Sequence, residues 1–351
     1  MEQPIVFLLL LIIMIILILL VLFFYLTIRK AIENRSRLKI DLYKEDYRNH
    51  MFRYLYKGEH SRHLLPDNDM KYKALEELLN EFANVAEGEE FEARMRTFSE
   101  LYFLERYKNL LFHRRWSKRM NVLYNIESFQ LQVLLEDVVN LYNSRKTLSE
   151  AEVVQIFKLM VKFDHPDLYH YITANQYNLS EFVYRLLVSN MKETTLKYFI
   201  AKYDQLSTTL KLTIIDVLGI ENRQDLTSFL RAQLTNNLPE IRIRSLKALA
   251  NLAVPLTDNE LKQHLYSKHF EERIMALKLA ASVRKKEYLP YIIESMSDGM
   301  FSVRQQAAQA IYRYPNGLDI LSDILTNSTD QFARDMAMEW LEKGRNNGAS
   351  R

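Results

Sequence analysis

Arg242-IRSLKALA, Arg273-IMALKLAA, Arg304-QQAAQAIY and Arg334-DMAMEWLE are four versions of one short pattern, and their arginines fall 31, 31 and 30 residues apart. Three residues after each arginine stands a small or hydroxyl side chain: Ser245, Ala276, Ala307 or Ala337. Four after stand Leu246, Leu277, Ala308 and Met338, and seven after stand Leu249, Ala280, Ile311 and Leu341. Offsets of three, four and seven share one helical face, so each copy predicts a helix with an apolar stripe and small residues for close packing. A weaker copy, Lys211-LTIIDVLG, lies 31 residues before Arg242.

Between these helices the pattern predicts a second amphipathic helix each time, over 257–266, 287–297 and 317–326, the first opened by a Thr257/Glu260 capping box. A pair of helices about 31 residues long cannot bury its stripe alone, so neighbouring pairs must stack into a curved solenoid. The Ile241-Arg242 and Val303-Arg304 dipeptides, with the small residues after them, resemble HEAT-like repeats over roughly 179–343. The resemblance implies a helical protein-binding surface in which Arg242, Arg273, Arg304 and Arg334 serve the repeat structure. The sequence departs from that pattern in one respect. The acid often found four residues before the arginine is here Leu238, His269 and Met300, with only Asp330 fitting, and Glu272 takes a place usually held by Val. An Asp–Arg ladder is therefore not expected.

At the other end, Ile5 to Ile28 is a run of twenty-four residues without a charge, almost all Leu, Ile, Val and Phe. As a helix it covers about 36 Å, enough to cross a ~30 Å hydrocarbon core. Arg29, Lys30, Arg35, Arg37 and Lys39 follow it, while only Met1, Glu2, Gln3 and Pro4 precede it. The positive-inside rule then predicts a single-pass span in the cell membrane, the short N-terminus outside and the C-terminal body cytoplasmic. A cleaved signal would want a basic start, a shorter apolar core and a small-residue cleavage site, and none is present. With no Gly, Ala or charge in the run, it is expected to anchor rather than to line a pathway.

Composition sets the class of the body. Seven Gly and seven Pro in 351 residues supply too little turn chemistry for a strand-rich fold, so an all-α body is expected. Zero Cys excludes disulfides, thiolate metal sites and a cysteine nucleophile. A net charge of +3 gives no general argument for nucleic acid. The expected organisation is an anchor over 1–28, a juxtamembrane helix and linker over 29–69, a helical domain over 70–165, HEAT-like repeats over 166–343 and a flexible polar tail over 344–351. Within the helical domain the periodicity predicts helices over 71–86, 89–120, 127–143 and 150–163, the last opened by a Ser149/Glu152 capping box, and no repeat.

Chemistry-bearing motifs are scarce. No phosphate-binding glycine loop, nucleophile elbow or HExxH occurs. His60/His63 and His165/His170 lie beside breaks around Pro66 and Pro166, where solvated histidine is the ordinary reading; Glu76-Glu77 and Glu89-Glu90 read as solvated helix faces. No metal, cofactor, small-molecule substrate or catalytic residue is expected, and the protein is not expected to be an enzyme. One basic cluster stands out: Arg106, Lys108, Arg114, Arg115, Lys118 and Arg119, with Phe112 and Trp116 among them and no acid between 106 and 119. On one helix Arg114/Lys118 and Arg115/Arg119 would stack at i,i+4 and repel unless an anionic partner faced them. The alternative is a solvated face above a core of Leu104, Leu110, Leu111 and Phe112.

These features predict a membrane-anchored cytoplasmic scaffold or adaptor, its partner a membrane-associated or cytoplasmic protein and the lipid bilayer. Among membrane-anchored bacterial proteins the resemblance implies a place beside envelope or polysaccharide machinery. The competing function is an anionic-lipid or nucleic-acid binding module using the 106–119 cluster; an enzyme in the first helical half comes third.

Overall fold

The computed structural model describes residues 2–85, 88–144, 147–174, 177 and 179–348. Among them there are eighteen α-helices, several short 3-10 turns and no strand. The chain divides into two compact units, Met1–His165 and Pro166–Arg351.

The first unit is built from α1 (Glu2–Lys57), α2 (Asp69–Ala83), α3 (Glu89–Leu111), α4 (Trp116–Ser128), α5 (Leu135–Ser144) and α6 (Glu150–Lys162). Helix α1 is continuous for 56 residues, about 84 Å at the standard rise. Its character changes along its length. Side chains from Phe7 to Leu26 are all exposed, whereas Ile40, Tyr47, Met51, Tyr54 and Leu55 are buried. Those five recur at helical spacing and lay one face of α1 against α2 and α3. The apolar stretch and the core of the first unit thus belong to one unbroken helix. Gly58, at φ +72°, ends it in a conformation that glycine adopts without strain.

Two expected helices of this unit are divided differently. The stretch 89–120 breaks after Leu111, and 127–143 gives way to a turn after Ser128 before α5 begins. The apolar period runs through both breaks, so spacing alone does not reveal them. Ala86, the expected end of the second helix, lies outside the described residues, as do the last three residues of the tail.

The second unit holds α7 (Leu168–Thr173), α8 (Glu181–Val188), α9 (Glu193–Ala201), α10 (Thr208–Ile220), α11 (Thr227–Ala232), α12 (Pro239–Asn251), α13 (Asp258–Leu265), α14 (Phe270–Val283), α15 (Leu289–Glu294), α16 (Phe301–Tyr312), α17 (Gly317–Asn327) and α18 (Gln331–Gly348). Helices α10, α12, α14, α16 and α18 pack each on the next, and α11, α13, α15 and α17 each cover the helix that follows them. The arrangement is repeat-like. Small residues set the spacing: a Cβ on Gly219 of α10 would lie 2.7 Å from Ala248 Cα of α12, so the two backbones touch there. The expected helix over 287–297 is instead the six-residue α15 between two 3-10 turns.

Successive helices also end alike. Gln130, Asp164, Asn222, Ala253 and Arg284, just past α4, α6, α10, α12 and α14, all take the left-handed conformation at φ between 51° and 57°. After the first four, the next amide donates to the carbonyl five residues back: Leu131 to Ile126, His165 to Met160, Arg223 to Leu218 and Val254 to Leu249. This is the cap that glycine favours, made here with five other residues. Left-handed backbone costs an L-residue roughly 1–2 kcal/mol. Replacing exposed Ala253 with Gly is therefore expected to raise stability by about 1 kcal/mol, less glycine's greater loss of chain entropy. Urea denaturation of parent and variant measures it, and a destabilised Ala253→Gly would contradict the capping argument.

Candidate functional site

The four repeat arginines occupy one structural position. Arg242, Arg273, Arg304 and Arg334 are each the fourth residue of their helices, α12, α14, α16 and α18. Each donates from Nη1 to the carbonyl six residues back: Asn236 at 2.8 Å, Ser267 at 2.7 Å, Asp298 at 2.7 Å and Ser328 at 3.0 Å. The guanidinium so ties the helix start to the turn that leads into it. Lys211, fourth in α10, makes the same kind of bond to Asp204 O at 2.9 Å.

Carboxylates clamp two of these arginines, and they do not come from the position four residues upstream. Arg242 is held in two bonds, 2.9 and 2.7 Å, by Glu272 of the next arginine helix. Arg273 is held likewise by Asp298, at 2.7 and 2.9 Å. Arg304 instead lies over two rings, Phe332 at 4.4 Å and Phe301 at 5.8 Å. Glu272 is buried, and His264 Nδ1 at 2.7 Å and Ser267 Oγ at 2.8 Å also meet it. Burial alone would raise its carboxyl, but bonds from Arg242, His264 and Ser267 overcome that and hold it down to about 2. Arg242, His264, Ser267 and Glu272 help line a cavity of about 330 Å³ with Asn236 and Gln263. Their charged groups already satisfy one another.

Arg119 has the same geometry in the first unit. It is the fourth residue of α4, donates to His113 O six residues back at 2.9 Å, and pairs through Nε with Glu152 at 2.6 Å. Both side chains are buried, 6% and 1% exposed. Glu152 is third in α6, as Glu272 is third in α14, and it also closes the capping box with Ser149. Arg119 is thus an interior structural residue and not a partner contact.

The rest of the basic cluster is redistributed by the break after α3. Arg106 bonds Asp69 at 2.8 Å and lies over the Tyr72 ring, and Lys108 reaches Glu105 at 3.3 Å. Arg114, Arg115 and Lys118 are exposed and have no carboxylate partner among the described residues. They flank the start of α4, which has no acid in its first turn, so they face the positive end of the helix dipole unopposed. Phe112 and Trp116 are 43% and 49% exposed, the Trp116 indole donating to Ser149 Oγ at 2.8 Å. His113 is held below its ordinary range by partial desolvation and then by Lys118, Arg115, Arg114 and Arg119 around it. Arg114 and Arg115 precede α4 instead of sharing one continuous helix with Lys118 and Arg119, and Leu111 rather than Phe112 enters the core.

Among the cations following the apolar stretch, Arg37 is drawn onto the body, bonding both oxygens of Glu77 at 2.7 and 2.8 Å and pairing with Asp41 at 2.8 Å. Arg29, Arg35 and Lys39 are exposed, and Lys30 meets only Glu33, at 3.8 Å.

Glu76 departs from the solvated face expected for it. It accepts from Tyr107 Oη at 2.6 Å and from Asn125 Nδ2 at 2.8 Å, joining α2, α3 and α4. Burial pushes its carboxyl up, against bonds from Tyr107 and Asn125 and the charge of Arg106. The neighbouring glutamate, Glu77, is the partner of Arg37 and Lys44. Sequence reading missed this junction because nothing local announces a carboxylate turned inward. His60 lines a second cavity of about 360 Å³ with Tyr54, Leu64, Phe98, Leu101 and Tyr102. No group of three or more His, Cys, Asp or Glu side chains placed to hold a metal occurs among the described residues.

No family model matches the chain, and neither does any curated protein. Solved structures that match include two crystal structures of engineered proteins from the Northeast Structural Genomics Consortium. One is 14% identical, with 80% of this chain and 96% of that chain covered and a TM-score of 0.27. The other is 16% identical, with 80% and 92% covered and a TM-score of 0.17. Superposition this poor carries no argument about fold or function.

A raised carboxyl stabilises the fold most when protonated, so Glu76 contributes fully below the ordinary carboxylate range and loses that contribution as pH rises through its own. Glu76→Gln keeps an acceptor for Tyr107 and cannot ionise. Its stability relative to the parent is expected to improve from acid to neutral pH, while Glu76→Ala costs about 1–3 kcal/mol by removing the acceptor of Tyr107 Oη and one of the two acceptors of Asn125 Nδ2. Denaturation curves at both pH values decide it, and a pH-independent difference for Glu76→Gln would refute the buried-carboxylate assignment.

Proposed function

We propose that this protein is a membrane-anchored scaffold or adaptor, with α1 as a single-pass anchor and a HEAT-like α-solenoid as the protein-binding surface. One observation carries the reading. The apolar stretch of α1 is wholly exposed along Phe7 to Leu26, while the same helix fills the core of the first unit from Ile40 onward. A bilayer would cover that exposed surface, and the body would be held to it without a flexible linker. Between Ile28 and Ile40 the helix rises about 18 Å, which sets the distance from membrane to body. The exposed cations from Arg29 to Lys39 support a cytoplasmic body and an outside N-terminus.

Partner binding is supported by exposed apolar side chains at the starts of three of the repeat helices. Leu238 precedes α12, Met300 precedes α16, Phe301 opens α16 and Phe332 is second in α18, exposed by 45%, 42%, 53% and 56%. Phe301 and Phe332, at the starts of the neighbouring helices α16 and α18, lie over the same Arg304 guanidinium and give those two helices an exposed apolar edge, the kind of surface that anchors a protein partner. Envelope or polysaccharide machinery is the setting we infer for that partner, by resemblance alone. The competing reading, a module for anionic lipid or nucleic acid, retains Arg114, Arg115 and Lys118 of its proposed cluster.

The cysteine-free chain permits a direct test of topology and partner together. Gln3→Cys is expected to react with an impermeant maleimide on intact cells, and Ser302→Cys only after permeabilisation. The intact protein purified from gently solubilised membranes is expected to bring a stoichiometric protein partner, lost on Phe301→Glu/Phe332→Glu. Labelling of Ser302→Cys on intact cells would reverse the topology. Recovery of the protein with bound nucleic acid and no protein partner would sink the scaffold.

A further inference from the structure

The turn between α3 and α4 lies at a defined end of the first unit. The start of α3 meets the far end of α1: Tyr54 Oη donates to Arg94 O at 3.3 Å, and the Tyr56 and Phe91 rings are 5.3 Å apart. The end of α3 is tied through α2 to a much earlier part of α1. Tyr107 bonds Glu76, whose neighbour Glu77 holds Arg37; Arg106 lies over Tyr72, next to Lys71, which lies over Tyr43. Helix α3 therefore runs back along α1 toward its apolar end. It continues four residues beyond Tyr107, about 6 Å further, before turning at Phe112.

That turn carries exposed Arg114, Arg115 and Lys118 with exposed Phe112 and Trp116, and the helix that leads into it runs toward the end of α1 that bears exposed Arg29, Lys30, Arg35 and Lys39. We propose that the 112–118 turn is a second membrane contact, recognising the anionic phospholipid headgroups of the bilayer that α1 crosses. The inference rests on the anchoring of α1 put forward above. Three observations favour lipid over an acidic protein. The turn follows a helix that runs toward the end of the unit from which the apolar stretch emerges. Its three cations have no carboxylate partner among the described residues. Its two aromatic rings are exposed beside them, and an amphipathic Trp suits the headgroup level. One long helix fixes the height of the body; a second contact off its axis would fix rotation about that axis as well.

Trp116 and Trp340 are the chain's two tryptophans, so Trp340→Phe leaves Trp116 as the sole reporter. The full chain is reconstituted in lipid nanodiscs, either zwitterionic or with about one-third anionic phospholipid, containing lipids brominated near the headgroup that quench on contact. Trp116 is expected to lose most of its emission in the anionic discs only. About 0.5 M salt, which shortens the screening length to a few ångströms, should restore it, as should Arg114→Glu/Arg115→Glu/Lys118→Glu. Unquenched Trp116 in anionic discs that still carry the chain would overturn this contact and leave the anchor standing. Equal quenching in both lipids would overturn headgroup recognition. A chain that does not remain with the discs would overturn the anchor, and this contact with it.

Discussion

The structure depends on α1 being two helices in one. Its first half is apolar around its whole circumference, and its second half is amphipathic, with Ile40, Tyr47, Met51, Tyr54 and Leu55 on the face that α2 and α3 cover. No Gly or Pro falls between Ile5 and Lys57, so nothing in the backbone interrupts the ladder of hydrogen bonds from one regime to the other. The opposite face confirms which face is the core side, since Leu38, Leu42, Phe52 and Tyr56 remain 43–64% exposed. Orientation of the unit about α1 is further fixed by Lys44, which is buried at the junction and meets Glu77 and Glu81 of α2. A flexible tether would need no such pairing.

A cation near a helix start opposes the helix dipole, yet six helices place one at their fourth residue. The hydrogen bond to a carbonyl six or seven residues back explains why. It satisfies an acceptor in the turn that precedes the helix and fixes how the chain enters it. At Arg119, Arg242 and Arg273 a carboxylate then offsets the dipole's repulsion. Arg304 obtains part of that compensation from the faces of Phe301 and Phe332 instead. Its Nε remains buried without a hydrogen-bond partner, which marks the exchange as incomplete.

Much of this was legible in the sequence. The periodic arginines, the small residues behind them and the capping boxes at Ser149 and Thr257 are local signals, and the structure has helices in those places with both boxes formed. The carboxylate partners were not legible, because Glu272 and Asp298 lie 30 and 25 residues from the arginines they hold, far from the position four residues upstream. Nor was the likeness of α4 to the later helices. Arg119 is followed by Val122 where Arg242, Arg273, Arg304 and Arg334 have Ser or Ala, and it sits among surface cations that hide it. The better signal would have been the distance from cation to cap. Eleven residues separate Arg119 from Gln130, Lys211 from Asn222, Arg242 from Ala253 and Arg273 from Arg284. None of those cap residues is glycine, so the usual marker of a helix end is missing.

Glu76 and Glu272 show why the same side chain can serve opposite electrostatic ends in a helical stack. Glu272 is buried and Glu76 half-buried, and the loss of water by itself disfavours the charged form of each. Glu272 meets a guanidinium in two bonds, and its charge is strongly favoured. Glu76 meets a phenol and an amide, which donate hydrogen bonds but bring no full charge, and desolvation prevails. Arg106, whose charge favours the ionised form of Glu76, is committed to Asp69. For each carboxylate the neighbours that the fold supplies therefore set how far desolvation is offset. A junction held by a carboxylate that resists ionisation suits helices fixed against one another, while a charged clamp suits a position where a helix entry must be aimed.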